Sequence, residues 1–169
     1  MLKETTCAFS GHRIIPKEYY VTLKQQVEDA VFSLIQKGFT DFCSGGALGF
    51  DQLAAEVVLH YKKLFPKIRL IMVLSCKNQD KFWNKEQQET YRHILSCADS
   101  IIYISETYYR GCMQMRNRYL VDASSCLLAY LKQDSGGTKY TVNYAKKNRV
   151  PVLLVNKPSP HQISFFSES

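Results

Sequence analysis

Phe42-Cys43-Ser44-Gly45-Gly46-Ala47-Leu48-Gly49-Phe50-Asp51 joins an apolar, strand-like run to the start of a helix through a turn with three glycines in five residues. Missing Cβ atoms allow close approach of a ligand and the positive φ angles that a tight strand-to-helix turn demands. Free backbone amides in such a turn, with the positive end of a helix starting near Phe50, predict a site for phosphate or another anion. A P-loop would end in Gly-Lys-Ser/Thr, whereas Gly49 is followed by Phe50 and Asp51, which argues against triphosphate-Mg²⁺ chemistry. The dinucleotide fingerprint fits no better. Aligned on Gly46 and Gly49, its first glycine is Ser44, and about twenty residues on, where a ribose-binding acid belongs, stands Leu64-Phe65-Pro66-Lys67.

Outward from this turn, the pattern repeats. Thr5 to Ser10 is a β-compatible run that stops at Gly11-His12-Arg13, a first strand with two ligand-capable side chains at its carboxyl end. Pro16 opens a helix whose buried stripe is Val21, Leu23, Val27, Ala30, Val31, Leu34 and Ile35, and Gly38 closes it. Phe39 to Ser44 is the second strand. After the glycine turn, Leu53, Ala54, Val57, Val58 and Tyr61 mark a helix that ends before Pro66. Ile68 to Leu74 is nearly all apolar, as a strand covered on both faces of a parallel sheet should be. Gln79, Trp83, Gln87 and Tyr91 recur every four residues and predict one helix face, either a plain amphipathic edge or a wall of stacking and amide groups for a base. Asp99 to Ile104 is a fourth strand and Cys112 to Asp122 a helix carrying Met113, Arg116, Asn117 and Leu120. Ala123 to Leu131 is a fifth strand. A second glycine turn, Ser135-Gly136-Gly137-Thr138, enters a helix to Lys147, and Val150 to Val155 is the last strand. Six strands alternating with five helical segments predict a Rossmann-like α/β fold, doubly wound, with a mainly parallel sheet and helices on both faces.

At 169 residues the chain is long enough for one core; residues 1–158 are expected to form a single domain and residues 159–169 a tail. Hydrophobic residues make up 46% and charged ones 22%, which excludes a disordered class. The net charge of +7 suits an anionic partner, but Lys and Arg are scattered, so a nucleic acid is not the expected one. Cys7, Cys43 and Cys126 lie in apolar runs, and the six cysteines lack the spacing of a metal site, so reduced buried thiols and no metal are expected. Neither a signal peptide nor an apolar run of about 20 residues is present, predicting a cytoplasmic protein without a membrane partner.

In a doubly wound sheet, ligands bind at the carboxyl ends of strands near the point where strand order reverses. The candidate ligand-binding residues there are Ser10, Gly11, His12, Arg13, Ser44, Gly45, Gly46, Gly49, Asp51, Trp83, Arg116, Asn117, Ser135, Gly136, Gly137 and Thr138. Asp51 is read either as a helix-capping residue or as an acceptor for ribose hydroxyls. Ser10-Gly11-His12-Arg13, the Ser44 to Asp51 turn, the Gln79/Trp83/Gln87/Tyr91 series and the second glycine turn together resemble the SLOG superfamily of Rossmann-like nucleotide-binding proteins, most closely its YpsA-type branch, over nearly the whole chain. The resemblance implies binding or sensing of a nucleotide or a nucleotide-derived phosphate, ADP-ribose-like ligands included, with no fixed reaction and no certain cofactor. A protein partner and a homo-oligomer are left open.

Two cousins imply other functions. The Lonely Guy phosphoribohydrolases carry a Met-His-x-Arg-Lys helix and a Pro-Gly-Gly-x-Gly-Thr-x-Glu-Glu turn. Met113-Gln114-Met115-Arg116-Asn117 is similar to the first and Ser135-Gly136-Gly137-Thr138 to the start of the second, so Asp51 and Arg116 are the candidate catalytic residues. The acidic pair of that turn is replaced here by Val142, Asn143 and neighbours such as Tyr144, none of which is a general acid for a leaving base. The DNA-processing protein DprA has a Ser-Gly-x-Ala-x-Gly-Ile-Asp loop similar to Ser44 through Asp51, which implies single-stranded DNA binding, with Tyr108-Tyr109-Arg110 the one aromatic and basic cluster that would serve it.

Overall fold

Six parallel strands in the order β4-β3-β2-β1-β5-β6 form the sheet of the computed structural model, which describes residues 1–155; the expected tail, 159–169, lies outside them. The strands are β1 (Thr6–Gly11), β2 (Asp41–Ser44), β3 (Arg69–Cys76), β4 (Ser100–Ser105), β5 (Cys126–Tyr130) and β6 (Val152–Leu154). Between them run α1 (Lys17–Gln36), α2 (Phe50–Lys62), α3 (Lys85–Cys97), α4 (Cys112–Asp122) and α5 (Gly136–Lys147). The expected doubly wound fold is therefore present, and its sheet is parallel throughout.

Side-chain periodicity decides which helix covers which face. On one face Phe9, Phe42, Leu70, Met72 and Tyr130 of the sheet pack against Leu23, Val27 and Val31 of α1, Leu53 and Val57 of α2 and Ile94 of α3. The alternate residues Ala8, Cys43, Ile71, Val73, Leu127 and Ala129 meet Leu120 and Val121 of α4 and Val142 and Ala145 of α5. Both faces of the central strands are thus buried, which explains their unbroken apolar runs. Val21 is the exception in the predicted stripe of α1, standing 77% exposed.

At the amino ends, Arg69 donates through Nε and Nη2 to the two carboxylate oxygens of Asp41, at 2.8 and 3.0 Å; the two residues are register partners on β2 and β3. Five cysteines are buried, as expected of reduced thiols, while Cys97 is exposed on α3. Strand order reverses between β1 and β5: the chain steps outward from β1 to β4, then α4 carries it back to β5 on the other side of β1. There the loops after β1 and β5 diverge and leave a crevice.

One predicted element is corrected. Gln79 and Trp83 precede α3, and only Gln87 and Tyr91 of the four-residue series lie within it. Asn84 stops the helix from extending backwards, because its side chain accepts from the Gln87 amide at 2.9 Å while Gln87 Oε1 accepts from the Asn84 amide at 3.1 Å, a reciprocal capping box.

Candidate functional site

At the switch point lies a cleft of about 510 Å³. Ser10, Gly11, His12 and Arg13 reach it from the end of β1, Asp51 from the first turn of α2, Arg116 and Asn117 from α4, and Gly136, Gly137 and Thr138 from the start of α5. Sequence elements separated by more than a hundred residues meet here. Ser44, Gly45, Gly46, Gly49, Ser135 and Trp83 are not among its lining residues.

The glycine turn after β2 packs closely against its neighbours. Three of its amides are engaged internally: Gly46 N donates to Ser44 Oγ at 3.2 Å, Ala47 N to Asp51 Oδ2 at 3.3 Å and Phe50 N to the His12 carbonyl at 3.1 Å. Gly49 has φ +80°, and a Cβ there would overlap the Arg13 carbonyl; the loop after β1 lies directly against it. A side chain on Gly45 would overlap the Arg116 guanidinium and press on Asp51 Oδ2. Gly46 faces Met72, Leu74 and Tyr91. These glycines let protein pack on protein. A glycine-rich sequence carries no sign of whether its free space is filled by a ligand or by the chain itself.

What the turn positions is the buried pair behind it. Arg116, 4% exposed, donates Nη1 to the Gly45 carbonyl at 2.6 Å and Nε to Asn117 Oδ1 at 2.8 Å. Gln79 Nε2 donates to the same carbonyl at 3.0 Å, and its Oε1 accepts from the Ser75 amide and hydroxyl. Gln79 is thus a brace for the turn. Trp83 packs edge-on against Tyr91, with centroids 5.0 Å apart, and belongs to the α3 packing. Asp51, 5% exposed, has its carboxyl pushed up to about 6 by burial, against the lowering effects of Arg116, the Ala47 amide, Arg13 and the Gly11 amide. Burial wins because the charged form loses water that two amides and nearby guanidinium groups only partly replace.

His12 is held by its own loop partners. Its Nε2 accepts from the amides of Lys132 at 2.8 Å and Gln133 at 3.2 Å, which fixes the neutral ring with its proton on Nδ1 and ties the loop after β1 to the loop after β5. Partial burial lowers its pKa, in keeping with that role. Arg13 is exposed and has one weak contact, Nη2 to Met113 Sδ at 3.7 Å. The start of α5 lacks a side-chain cap from Ser135, and Gly136, Gly137 and Thr138 of its first turn, whose amides have no acceptor within the helix, line the cleft. Phe9, Ala47, Met113, Gln114 and Tyr140 also line it and were not among the expected residues. Helical spacing is the signal that could have found three of them, since Met113 and Gln114 share a turn with Arg116, and Tyr140 lies one turn beyond Gly136 and Gly137. Among the described residues no cluster of three or more His, Cys, Asp or Glu could hold a metal ion, and no helix is long and apolar enough to cross a membrane.

The family model for the YspA SLOG family matches residues 16–155. The chain belongs to this family. YoqJ, an SPbeta prophage-derived protein of Bacillus subtilis, is 33% identical over 139 residues, covering 72% of this chain and 81% of its own. The UPF0398 protein BH1768 of Halalkalibacterium halodurans is 33% identical over 153 residues, covering 86% and 79%. Among solved structures, the single-stranded DNA-binding DNA processing protein A of Helicobacter pylori shares the fold with a TM-score of 0.64 at 18% identity, over 98% of this chain and 73% of that one.

Proposed function

We propose that this SLOG-family protein binds a nucleotide or nucleotide-derived phosphate in the switch-point cleft. The observation that carries the reading is the convergence, in one cleft, of the uncapped start of α5 with Arg13, Asn117 and a buried Asp51. The amides of Gly136 to Thr138 and the helix dipole attract a phosphate, and Arg13 adds a charge-assisted donor. Asn117 presents Nδ2 on the same side, its Oδ1 being engaged by Arg116. Asp51 and Ser10 are the acceptors for sugar hydroxyls. Arg116 holds the Gly45 turn and keeps the local potential positive.

Mass spectrometry of small molecules that co-purify with the native protein tests the ligand class; a retained nucleotide or phosphosugar is the expected result. Calorimetry with adenosine 5′-monophosphate tests the geometry. Arg13→Ala should weaken binding by on the order of 1.5 to 3 kcal/mol, the range for hydrogen bonds to charged groups, without changing the fold, because Arg13 is exposed. Equal affinity of the variant and the parent would remove Arg13 from the site.

A second reading, single-stranded DNA binding, draws on Tyr108 and Tyr109, 66% and 43% exposed next to Arg110 in the loop leading into α4. Strand binding needs a charged groove with successive stacking platforms, and the cleft itself contributes two arginines, Arg13 and Arg116. Fluorescence anisotropy with a labelled oligothymidylate separates the two: binding that is lost in Tyr108→Ala/Tyr109→Ala, with no response to mononucleotides, would favour the strand.

A further inference from the structure

The cleft has an aromatic wall that the sequence pattern did not suggest. Tyr140 lies one turn into α5 from Gly136 and Gly137. It is half-buried and lines the cleft beside Met113 and Gln114. Two groups fix it. Arg118 Nε donates to the Tyr140 hydroxyl at 2.6 Å, the Arg118 guanidinium lies 5.9 Å from the Tyr140 ring centroid and 5.8 Å from that of Tyr144, and the two rings stack at 6.5 Å with planes 14° apart. Tyr144 is anchored in turn, its hydroxyl donating to Asp122 at 2.9 Å.

We infer that Tyr140 is a base platform, so that the ligand of the cleft is a nucleoside phosphate and not a simple sugar phosphate, and that Arg118 positions the ring. The inference rests on the phosphate-binding reading above. A planar ring held by an offset-stacked tyrosine and by a guanidinium at its hydroxyl loses little freedom when a base packs on it, and any base offers a π-face for that contact. Its place one helical turn from the phosphate-facing amides separates it from them by roughly 5 Å along the axis, the scale of a ribose between phosphate and base. Trp83, the aromatic residue expected in this role, is engaged with Tyr91 elsewhere.

Isothermal calorimetry with adenosine 5′-monophosphate and ribose 5-phosphate tests this on the full chain. The parent protein should bind the nucleotide about tenfold tighter or more. Tyr140→Ala should lower nucleotide affinity by about tenfold while ribose 5-phosphate changes less than twofold, and Tyr140→Phe should keep most of the nucleotide preference. Arg118→Ala should reduce the preference in part. Equal affinity for the two probes in the parent, or equal losses for both in Tyr140→Ala, would overturn the inference and leave the phosphate site standing. If Tyr140→Ala does not fold, Tyr140→Leu, which keeps apolar volume without a ring face, replaces it, and full nucleotide preference in that variant overturns the inference. Failure of both probes and of inorganic phosphate to bind the parent would overturn the site itself, and the base platform with it.

Discussion

Asp51 combines burial, two amide donors and two neighbouring guanidinium groups, and its carboxyl at about 6 has a consequence for stability. The folded state holds this proton more tightly than the unfolded chain, whose value is near 3.8. The group's contribution is therefore full at low pH and is lost as pH rises from about 4 to about 6. Relative to Asp51→Asn, unfolding free energy of the parent should fall by on the order of 3 kcal/mol across that interval, measured by urea denaturation at stepped pH. Parallel pH profiles for the two proteins would mean that the Asp51 carboxyl titrates alike in the folded and unfolded states. His12 has the opposite sign. Its lowered pKa makes its contribution full above about 6.5 and lost as pH falls below that value. Gly49→Ala places a Cβ on the Arg13 carbonyl at φ +80° and should cost at least 1 to 3 kcal/mol of stability, about the strain of a left-handed non-glycine residue, visible as a lowered urea midpoint. A variant as stable as the parent would show that the two loops separate easily.

The start of α3 shows how a helix boundary redistributes residues that periodicity had grouped. With the capping box at Asn84 and Gln87, the chain before it is free to turn Gln79 onto the Gly45 carbonyl and Trp83 onto Tyr91. Asn84→Ala should destabilise the protein by about 1 kcal/mol, the usual worth of such a cap, as read by thermal unfolding. The single tryptophan then reports α3 packing: its emission should stay flat during titration with a mononucleotide whose binding calorimetry has established. A quench at the binding stoichiometry would mean that α3 and the Gly45 turn move when the cleft fills. Elements on the other face have an analogous logic. The first turn of α5 owes its place in the cleft to Thr138, Thr141, Val142 and Ala145 being buried beneath it.

At the level of the molecule, one crossover makes the site, because α4 returns the chain across the sheet and sets Arg116 against the Gly45 carbonyl, 71 residues away in sequence. The same architecture bears on turnover. Release of a base from a nucleoside monophosphate needs an acid near the leaving group, and the first two turns of α5 offer Thr138, Lys139, Tyr140, Thr141 and Asn143. Asp134, just before them, is paired with Lys139 at 2.7 Å. The purified protein should therefore bind nucleoside 5′-monophosphates without releasing free base, as followed by chromatography. Enzyme-dependent release that disappears in both Asp51→Asn and Arg116→Ala would make the protein a phosphoribohydrolase with Asp51 as its acid.

The sequence by itself determined the alternation of strands and helices and the parallel sheet, because apolar periodicity and glycine turns are local properties read along one segment. It also identified Arg13, Asp51, Arg116, Asn117 and the start of α5 as neighbours of strand ends, which the cleft then unites. Strand order, and with it the switch point between β1 and β5, depends on which strands pair, and that is a property of no single segment. The tertiary structure alone separated the two glycine turns, one filled by the Arg116 guanidinium and the β1 loop and the other open to the cleft. It also placed Tyr140, and not Trp83, among the residues that line the cleft. Only contacts between residues far apart in the chain decide whether a glycine's empty side faces protein or solvent, and whether a ring is engaged or available.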